Sequence, residues 1–501
     1  MFRLDSSLDF RRELAPRVLA RTLVVLFVIS VLAVSHRDAI ADPLFAEPCT
    51  SYAAGTHSRF VVMGDLNGDR WQDLVVANNG SPPSAGTVSV LLGKGDGTFL
   101  PKMDYPTGVS PGCIAIANLN GDGKPDLAVT NEDDGTVSVL LGNGNGTFMP
   151  KTDYPVGSHP LFVAIGDVIG DGKLDLVVVN YGSNTISVLP GNGLGVFVAK
   201  TDYPTGSKPS SVGLRDVNND GSFDAVVANG FSGTVSVLLG NGTPTNTFKP
   251  KTDFATGVFP AAVAIADLNA DGKLDLAVAN EGDGSGNTVS VLLGNGDGTF
   301  KPKTDYGTGT GPFSVAIGDL NADWKPDLAT ANSISNTVSV LLGNGDGTFG
   351  AKTDCATGNF PMSVAIGDLN RDCRPDLVAA NNASNTVSVL RNIGNGQAGV
   401  DPAPSNPSGT FLLLALRPNP SRGMSEIRFL LPSACTVDVA LFDLAGRNVR
   451  SLVAGERSTP GGHSIRWDGR DGSGAPVRDG VYFVQVRAGR DVGVRKLVIF
   501  R

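Results

Sequence analysis

The sequence predicts an all-β chain, a seven-bladed β-propeller followed by a small β-sandwich. Three observations carry the prediction. Seven near-copies of one acidic phrase recur at steps of 49 to 53 residues. Each step reads as four short strands divided by Gly/Asn/Asp turns, the pattern of a propeller blade. The composition suits strands and turns: 64 Gly in 501 residues and 7% aromatics, with Val, Thr and Asn dense. No Gly-X-Y triplet supports a collagen helix, and 41% hydrophobic residues is too many for a disordered chain. Only 4 His are present, so His-centred catalysis has little to draw on.

From the amino terminus, Arg11, Arg12, Arg17 and Arg21 precede an apolar run from Thr22 to Val34. The run is short of the roughly 20 residues that span a bilayer. Ala39-Ile40-Ala41 follows as a small-residue cleavage site. Residues 1–41 are therefore expected to be a signal peptide, cut before Asp42; an uncleaved anchor is the alternative. No later segment is apolar enough to cross a membrane.

The repeats are expected over residues 42–396. In one copy, a short apolar strand (Ser314 to Gly318) enters the acidic loop. A second strand runs from Asp327 to Ala331 and a third from Thr337 to Leu341. A Gly-rich hairpin, Gly343 to Gly347, leads to a fourth strand through Phe349 and Lys352. The seventh copy stops after its third strand, Thr386 to Leu390, and a degenerate fourth-strand phrase precedes the first copy at Phe45 to Tyr52. The amino-terminal strand is thus expected to complete the last blade and remove an open sheet edge. An open solenoid is the alternative.

The acidic loops hold the chemistry. Asp or Asn stands at positions 1, 3, 5 and 9: Asp65, Asn67, Asp69 and Asp73; Asn118, Asn120, Asp122 and Asp126; Asp167, Asp171 and Asp175, with Ile169 at position 3; Asp216, Asn218, Asp220 and Asp224; Asp267, Asn269, Asp271 and Asp275; Asp319, Asn321, Asp323 and Asp327; Asp368, Asn370, Asp372 and Asp376. Alternate residues of a curled loop aim their oxygens at one centre, and a position-7 carbonyl adds another. This is the ligand chemistry of a hard cation, and up to seven Ca²⁺ are expected, the fourth and fifth copies being the most complete. An EF-hand opens with the same spacing but lies between helices, whereas strands flank these loops. Arg70, Trp324 and Cys373 stand at position 6, where Gly would ease the turn. The alternative is that these Asp and Asn are turn residues only. Residues 42–401 hold 20 basic and 37 acidic residues, 20 of the acids in the loops. Such crowded carboxylates favour a bound cation and disfavour nucleic acid as a partner.

The phrases D-x-N-x-D-G-x-x-D-L and G-N-G-D-G-T-F resemble FG-GAP/VCBS-type repeats, as in the integrin α-chain propeller, over about residues 44–396. The resemblance implies a seven-bladed propeller with Ca²⁺ in loops between first and second strands, and a part in extracellular adhesion or ligand binding.

Pro402-Ala-Pro404-Ser-Asn-Pro407-Ser-Gly409 marks a linker over 397–410. Residues 411–501 read as about seven strands, including Ser425–Leu431, Thr436–Phe442, Ser464–Trp467, Val481–Val486 and Arg495–Phe500, which fits a small β-sandwich. Pro418-Asn-Pro420, Phe442-Asp-Leu-Ala-Gly-Arg447, Trp467-Asp-Gly469 and Asp479-Gly-Val-Tyr-Phe483 resemble the Ig-like domain of the flagellar hook-capping protein and the sorting tails of type IX secretion cargo. The resemblance implies export, surface attachment or a stabilising cap.

Cys49, Cys113, Cys355, Cys373 and Cys435 form no CxxC pair, and their odd number leaves at least one unpaired unless it crosses to another chain, so neither a structural zinc site nor a disulfide framework is expected. His57, His159 and His463 are scattered, and Gly191-Asn-Gly193-Leu-Gly195 is a hairpin turn with no helix after it. The expectation is an exported, non-enzymatic Ca²⁺-binding propeller at the cell surface with an extracellular protein or glycan as ligand. A polysaccharide-directed enzyme or accessory module and a structural surface-layer protein are the alternatives. Chain reversal puts loops 1→2 and 3→4 on one face. Loops 2→3 and 4→1 leave on the other and vary between copies, with Glu132-Asp133-Asp134, Tyr181, Phe231 and Glu281-Gly-Asp283 in the first set and His159, Lys208, Phe259, Phe313 and Phe360 in the second. The variable face is expected to bind the ligand; the alternative is that its Phe side chains tuck between blades.

Overall fold

In the computed structural model, residues 44–394 are described apart from 82–84, 242–246 and Cys373, and residues 412–500 apart from short segments at 418–420, 422–423, 432–434, 444–446, 459–460 and 489–490. The expected signal peptide and linker lie outside the described residues. The chain divides into two compact units, Met1–Gly396 and Gln397–Arg501.

The first unit is built from antiparallel four-stranded sheets. Strand β1 (Thr50–Ala53) precedes sheet one, made of β2 (Ser58–Gly64), β3 (Asp73–Asn78), β4 (Thr87–Leu91) and β5 (Met103–Pro106). The same order recurs in the sheets that open at Pro111–Ala117, Pro160–Gly166, Pro209–Arg215, Pro260–Ala266 and Pro312–Gly318, here sheets two to six. Sheet seven has Pro361–Gly367, Asp376–Asn381 and Thr386–Leu390, and its fourth strand is β1. Thr50 stands opposite Val389 and Tyr52 opposite Val387, and Phe45 bridges Asn392 as Phe99 bridges Gly93 in sheet one. The amino-terminal strand therefore completes the last sheet, as its sequence predicts. The fourth strands start later than expected: the strand of sheet six is Thr353–Ala356, and Phe349 only bridges Gly343. Pro101, Pro150, Pro250 and Pro302 occupy this approach in other sheets and have no N–H for a ladder.

Sheets stack face to face through apolar side chains. Each second strand is buried along its whole length, as in Asp73–Asn78 and Asp275–Asn280. Burying one Val or Leu contributes about 1.5–3 kcal/mol, so these strands supply much of the core. The first strands pack in succession, and Pro361–Gly367 packs back against β2. A Cβ on Gly367 would come within 3.0 Å of the Met63 methyl, so glycine permits this approach. The Val61 N–H donates to Ser363 Oγ at 3.3 Å across the same junction.

Polar groups at the second-strand ends are satisfied by a repeated relay. Asn78 accepts from the Gly55 N–H at 2.9 Å and donates to Ser89 at 2.8 Å, and Ser89 donates to Asp104 at 2.6 Å. Lys102 pairs with the other oxygen of Asp104. The relay recurs in the next sheet through Asn131, Ser138, Asp153 and Lys151.

Among the described residues, the second unit has seven strands in two sheets, a sandwich consistent with an Ig-like domain. Leu412–Arg417, Ser425–Leu431 and Gly461–Trp467 form one; Asn448–Ser458, Cys435–Asp443, Gly480–Ala488 and Asp491–Ile499 form the other. Trp467, Phe429, Ile427, Val439, Leu441 and Val484 are buried between them.

Candidate metal centres

Each acidic loop joins the first strand of a sheet to its second, and backbone hydrogen bonds shape it. In the fourth copy, Asp216 accepts N–H groups from Asp220 at 3.1 Å and Gly221 at 2.8 Å. Asn218 Oδ1 accepts from the Asp220 N–H at 3.0 Å, and Asp220 accepts from the Ser222 N–H at 2.9 Å. The fifth copy repeats these bonds through Asp267, Asn269 and Asp271. In copies one to six, two residues per loop are left-handed. Gly221 has φ 86° and Asn219 has φ 59°; Gly272 and Ala270 have φ 80° and 59°. The position-4 residue escaped the sequence reading because only some copies put Gly there. Arg70 and Trp324 adopt φ 70° and 71° at position 6, and their N–H groups still donate to Asp65 and Asp319 at 2.8 and 2.9 Å. The missing Gly therefore leaves the loop shape intact, at a cost in strain of about 1 kcal/mol.

Position 9 has a part that the spacing did not reveal. All seven residues, Asp73, Asp126, Asp175, Asp224, Asp275, Asp327 and Asp376, are fully buried. One oxygen accepts the position-2 N–H: Leu66 to Asp73 at 2.8 Å, Val217 to Asp224 at 2.9 Å, Leu268 to Asp275 at 2.9 Å. The other accepts an N–H from the 3→4 hairpin: Gly93, Gly240 and Gly294, each at 2.7 Å. The carboxylate ties the acidic loop to the hairpin of its own sheet. That hairpin also reaches the acidic loop of the preceding sheet, as the Gly97 N–H donates to Leu369 O at 3.1 Å and the Gly146 N–H to Leu66 O at 3.2 Å. The acidic loops and the hairpins thus share one face.

Burial pushes the carboxyls of Asp73, Asp327 and Asp376 up to about 6, and neighbouring loop carboxylates add to the push. Asp224 and Asp275 are raised by the same causes in the same order of weight. Asp319, at position 1, is raised by burial and by Asp323.

The donors fit a hard cation in kind: carboxylate and amide oxygens, with no sulfur or imidazole among them. An ionised carboxylate that accepts two N–H groups keeps lone pairs for a metal. Among the described residues, no group of three or more His, Cys, Asp or Glu is gathered as a ready-made metal cage. In copies one, four and seven the position-3 amide instead donates to the position-5 carboxylate, as Asn67 does to Asp69 at 2.8 Å. In copy three, Ile169 is buried and supplies no side-chain oxygen.

On the variable face, the residue that ends each 4→1 connection receives the next 2→3 loop. His159 O accepts from the Tyr181 N–H and Phe259 O from the Glu281 N–H, both at 3.0 Å. The Phe side chains do not all tuck inward. Phe231 is 75% exposed and meets Phe259 edge-on at 6.5 Å. Phe360 is exposed and Phe259 and Phe313 are half-buried. Lys208 Nζ stands 4.5 Å above the Tyr181 ring. Among the described residues, no helix is long and apolar enough to cross a membrane.

A model of the FG-GAP-like repeat matches residues 65–129, 118–178, 167–227, 216–278, 267–330 and 319–379. Each match opens at position 1 of one acidic loop and runs past the next, so six matches span seven loops. A FlgD Ig-like domain model matches residues 421–491. No curated protein matches the chain. Among solved structures, a protein from Lactobacillus plantarum is similar over 62% of this chain and 88% of its own, at 16% identity and a TM-score of 0.50. A functionally unknown protein from Desulfotomaculum acetoxidans is similar over 60% of this chain and 90% of its own, at 15% identity and a TM-score of 0.43. A catalytically inactive virginiamycin B lyase from Staphylococcus aureus is similar over 69% and 99%, at 13% identity and a TM-score of 0.47. At such identities a likeness concerns the fold alone.

Proposed function

The chain belongs to the FG-GAP-like repeat family, and we propose that it is an exported, non-enzymatic protein whose sheets form a closed seven-bladed propeller stabilised by Ca²⁺. Its variable face would hold an extracellular protein or glycan, and its Ig-like unit would serve export or surface attachment. Support for ring closure comes from β1 in sheet seven and from the packing of Gly367 on Met63. The observation that carries the metal reading is the position-9 aspartate, buried in every copy, with the carboxyls of Asp73, Asp327 and Asp376 raised first by that burial and then by neighbouring loop carboxylates. A cation beside it offsets both penalties. Asp216, Asn218, Asp220 and Asp224, and Asp267, Asn269, Asp271 and Asp275, are the sets best suited to hold it. The bound metal would supply charge neutralisation and a cross-link within the loop. The residues themselves hold the loop curled and tie it to the hairpin.

Calcium is expected to raise the melting temperature of the full chain and chelator to lower it, because a ligand that binds only the folded state stabilises it. Asp271→Ala is expected to remove about one bound ion per chain. Identical melting curves with Ca²⁺ and with chelator would overturn the metal reading. For the binding face, Tyr181→Ala and Phe231→Ala, checked for folding, are expected to weaken retention on host cells or extracted matrix. Undiminished retention, with loss on altering the 3→4 hairpins instead, would reverse the faces.

A further inference from the structure

The repeat is broken twice at the junction between sheets six and seven, and the two breaks face each other. At six junctions an aromatic ring on the outer strand of one sheet lies edge-on against the hairpin-base Phe of the next. Tyr52 meets Phe99 at 5.1 Å, and Tyr105–Phe148, Tyr154–Phe197, Tyr203–Phe248, Phe254–Phe300 and Tyr306–Phe349 meet at 5.3 to 5.4 Å. At the remaining junction the Phe is present as Phe45, but the ring position is Cys355. Cys355 is buried, whereas those rings are half-buried.

The second break lies in the closing strand. The residue three places before the ring position is Lys in sheets one to six, including Lys102 and Lys352, and is Cys49 ahead of Tyr52. This side of the outer strand looks back at the preceding sheet: Lys102 and Asp104 line a hollow shared with Ala53 of β1 and Ala54 just after it. By the same register Cys49 looks back at the outer strand of sheet six. It packs against the apolar cluster that contains Phe45 and Cys355. Both cysteines are thiols in the structure.

We propose that Cys49 and Cys355 form a disulfide in the exported protein, a covalent latch that fastens the closing strand to sheet six. The half-buried Cys49 is the entry point. As the thiolate it attacks the disulfide of an exchange partner, a small disulfide or a disulfide oxidoreductase. A mixed disulfide forms and one partner sulfur leaves. Cys355 then attacks the Cys49 sulfur, the protein S–S bond forms and the second partner sulfur leaves. Two electrons pass to the partner, and the two thiol protons of the protein end on its two thiols. Burial pushes the Cys355 thiol up to about 12, which suits it to the resolving step rather than to first attack. Cys113 sits in a different cluster, so it does not compete for the pair. The latch answers a weakness of the closure, since β1 is otherwise held at its outer end by one ladder. A cross-link over so long a loop also acts strongly on the unfolded chain.

The latch rests on the export reading only for the source of its oxidant, and the test removes that dependence. The full chain is reduced, equilibrated in glutathione and glutathione disulfide, alkylated and digested. The expected result is one peptide pair joined through Cys49 and Cys355 and lost on reduction. Reductant is expected to lower the melting temperature of the oxidised protein by several degrees. Cys49→Ser and Cys355→Ser each abolish both effects, and Cys113→Ser abolishes neither. Recovery of Cys49 and Cys355 as separately alkylated thiols, or of Cys49 joined to another cysteine, overturns the latch. A failure of export would show in cell fractionation and leaves this result unchanged.

Discussion

The position-9 aspartates carry two loads, and single substitutions separate them. Asp275 accepts N–H groups from Leu268 and Gly294 and also stands among the proposed ligands. Asp275→Asn replaces one acceptor with an NH₂ facing a buried N–H. It is expected to cost about 1–3 kcal/mol in chelator as well as in Ca²⁺. Asp271→Ala is expected to cost much less in chelator and to lose most of its effect there, because Asp271 lies at the exposed rim of the loop. Denaturant titrations of both variants with and without Ca²⁺ check this; equal losses in chelator would count against the division. Acidity tests the same residues. The carboxyls of Asp73, Asp327 and Asp376 sit at about 6 in the fold, above the unfolded value of about 3.9. The folded state therefore holds their protons more tightly. In chelator their contribution is full below about pH 4 and is lost as pH rises through about 6. Calcium binds the ionised form, so the melting-temperature gain from Ca²⁺ is expected to be larger at pH 7.5 than at pH 5. An equal gain at both would count against these aspartates as ligands.

At the scale of the element, sheet seven can be compared with six internal controls. In sheet one Ser89 donates to Asp104, but in sheet seven the residue opposite Ser388 is Ser51. Ser51→Asp restores the acceptor of the relay and is expected to stabilise the chain by about 1 kcal/mol, read as a raised denaturant midpoint with unchanged slope. The closing strand also depends on Phe45, which is buried although it lies outside any strand. Phe45→Ala is expected to cost about 3–5 kcal/mol and to expose sheet seven first in hydrogen exchange. Early exchange in sheet three instead would contradict a closure that depends on β1. The strand boundaries themselves were legible because Gly, Asn and Asp punctuate every turn. The late start of the fourth strands was not, because Phe349 and its counterparts read as strand yet make only one bridge each.

For the whole molecule, the four-strand unit and the completion of the last sheet by the amino-terminal strand were written in the sequence, because a repeated phrase is a local signal and its missing part can be matched to its spare. The acidic loops were equally plain, since Asp and Asn at alternate positions are local chemistry. The second unit was legible as strands; which strands pair and the burial of Trp467 between the sheets were not. What the tertiary structure decided is where each of those oxygens is held. Asp73 and its counterparts reach N–H groups about 20 residues away on the hairpin, a contact no spacing within the loop encodes. It also decided that Arg70 and Trp324 accept a left-handed backbone, because the surrounding hydrogen bonds outweigh their local preference. The exposure of Phe231 beside half-buried Phe259, and the meeting of Cys49 with the cluster around Cys355, were decided there too. Residues hundreds of positions apart become neighbours only when the last sheet is completed by the first strand. Local propensity determines the pieces, and the packing of one sheet on the next determines which side chains share a site.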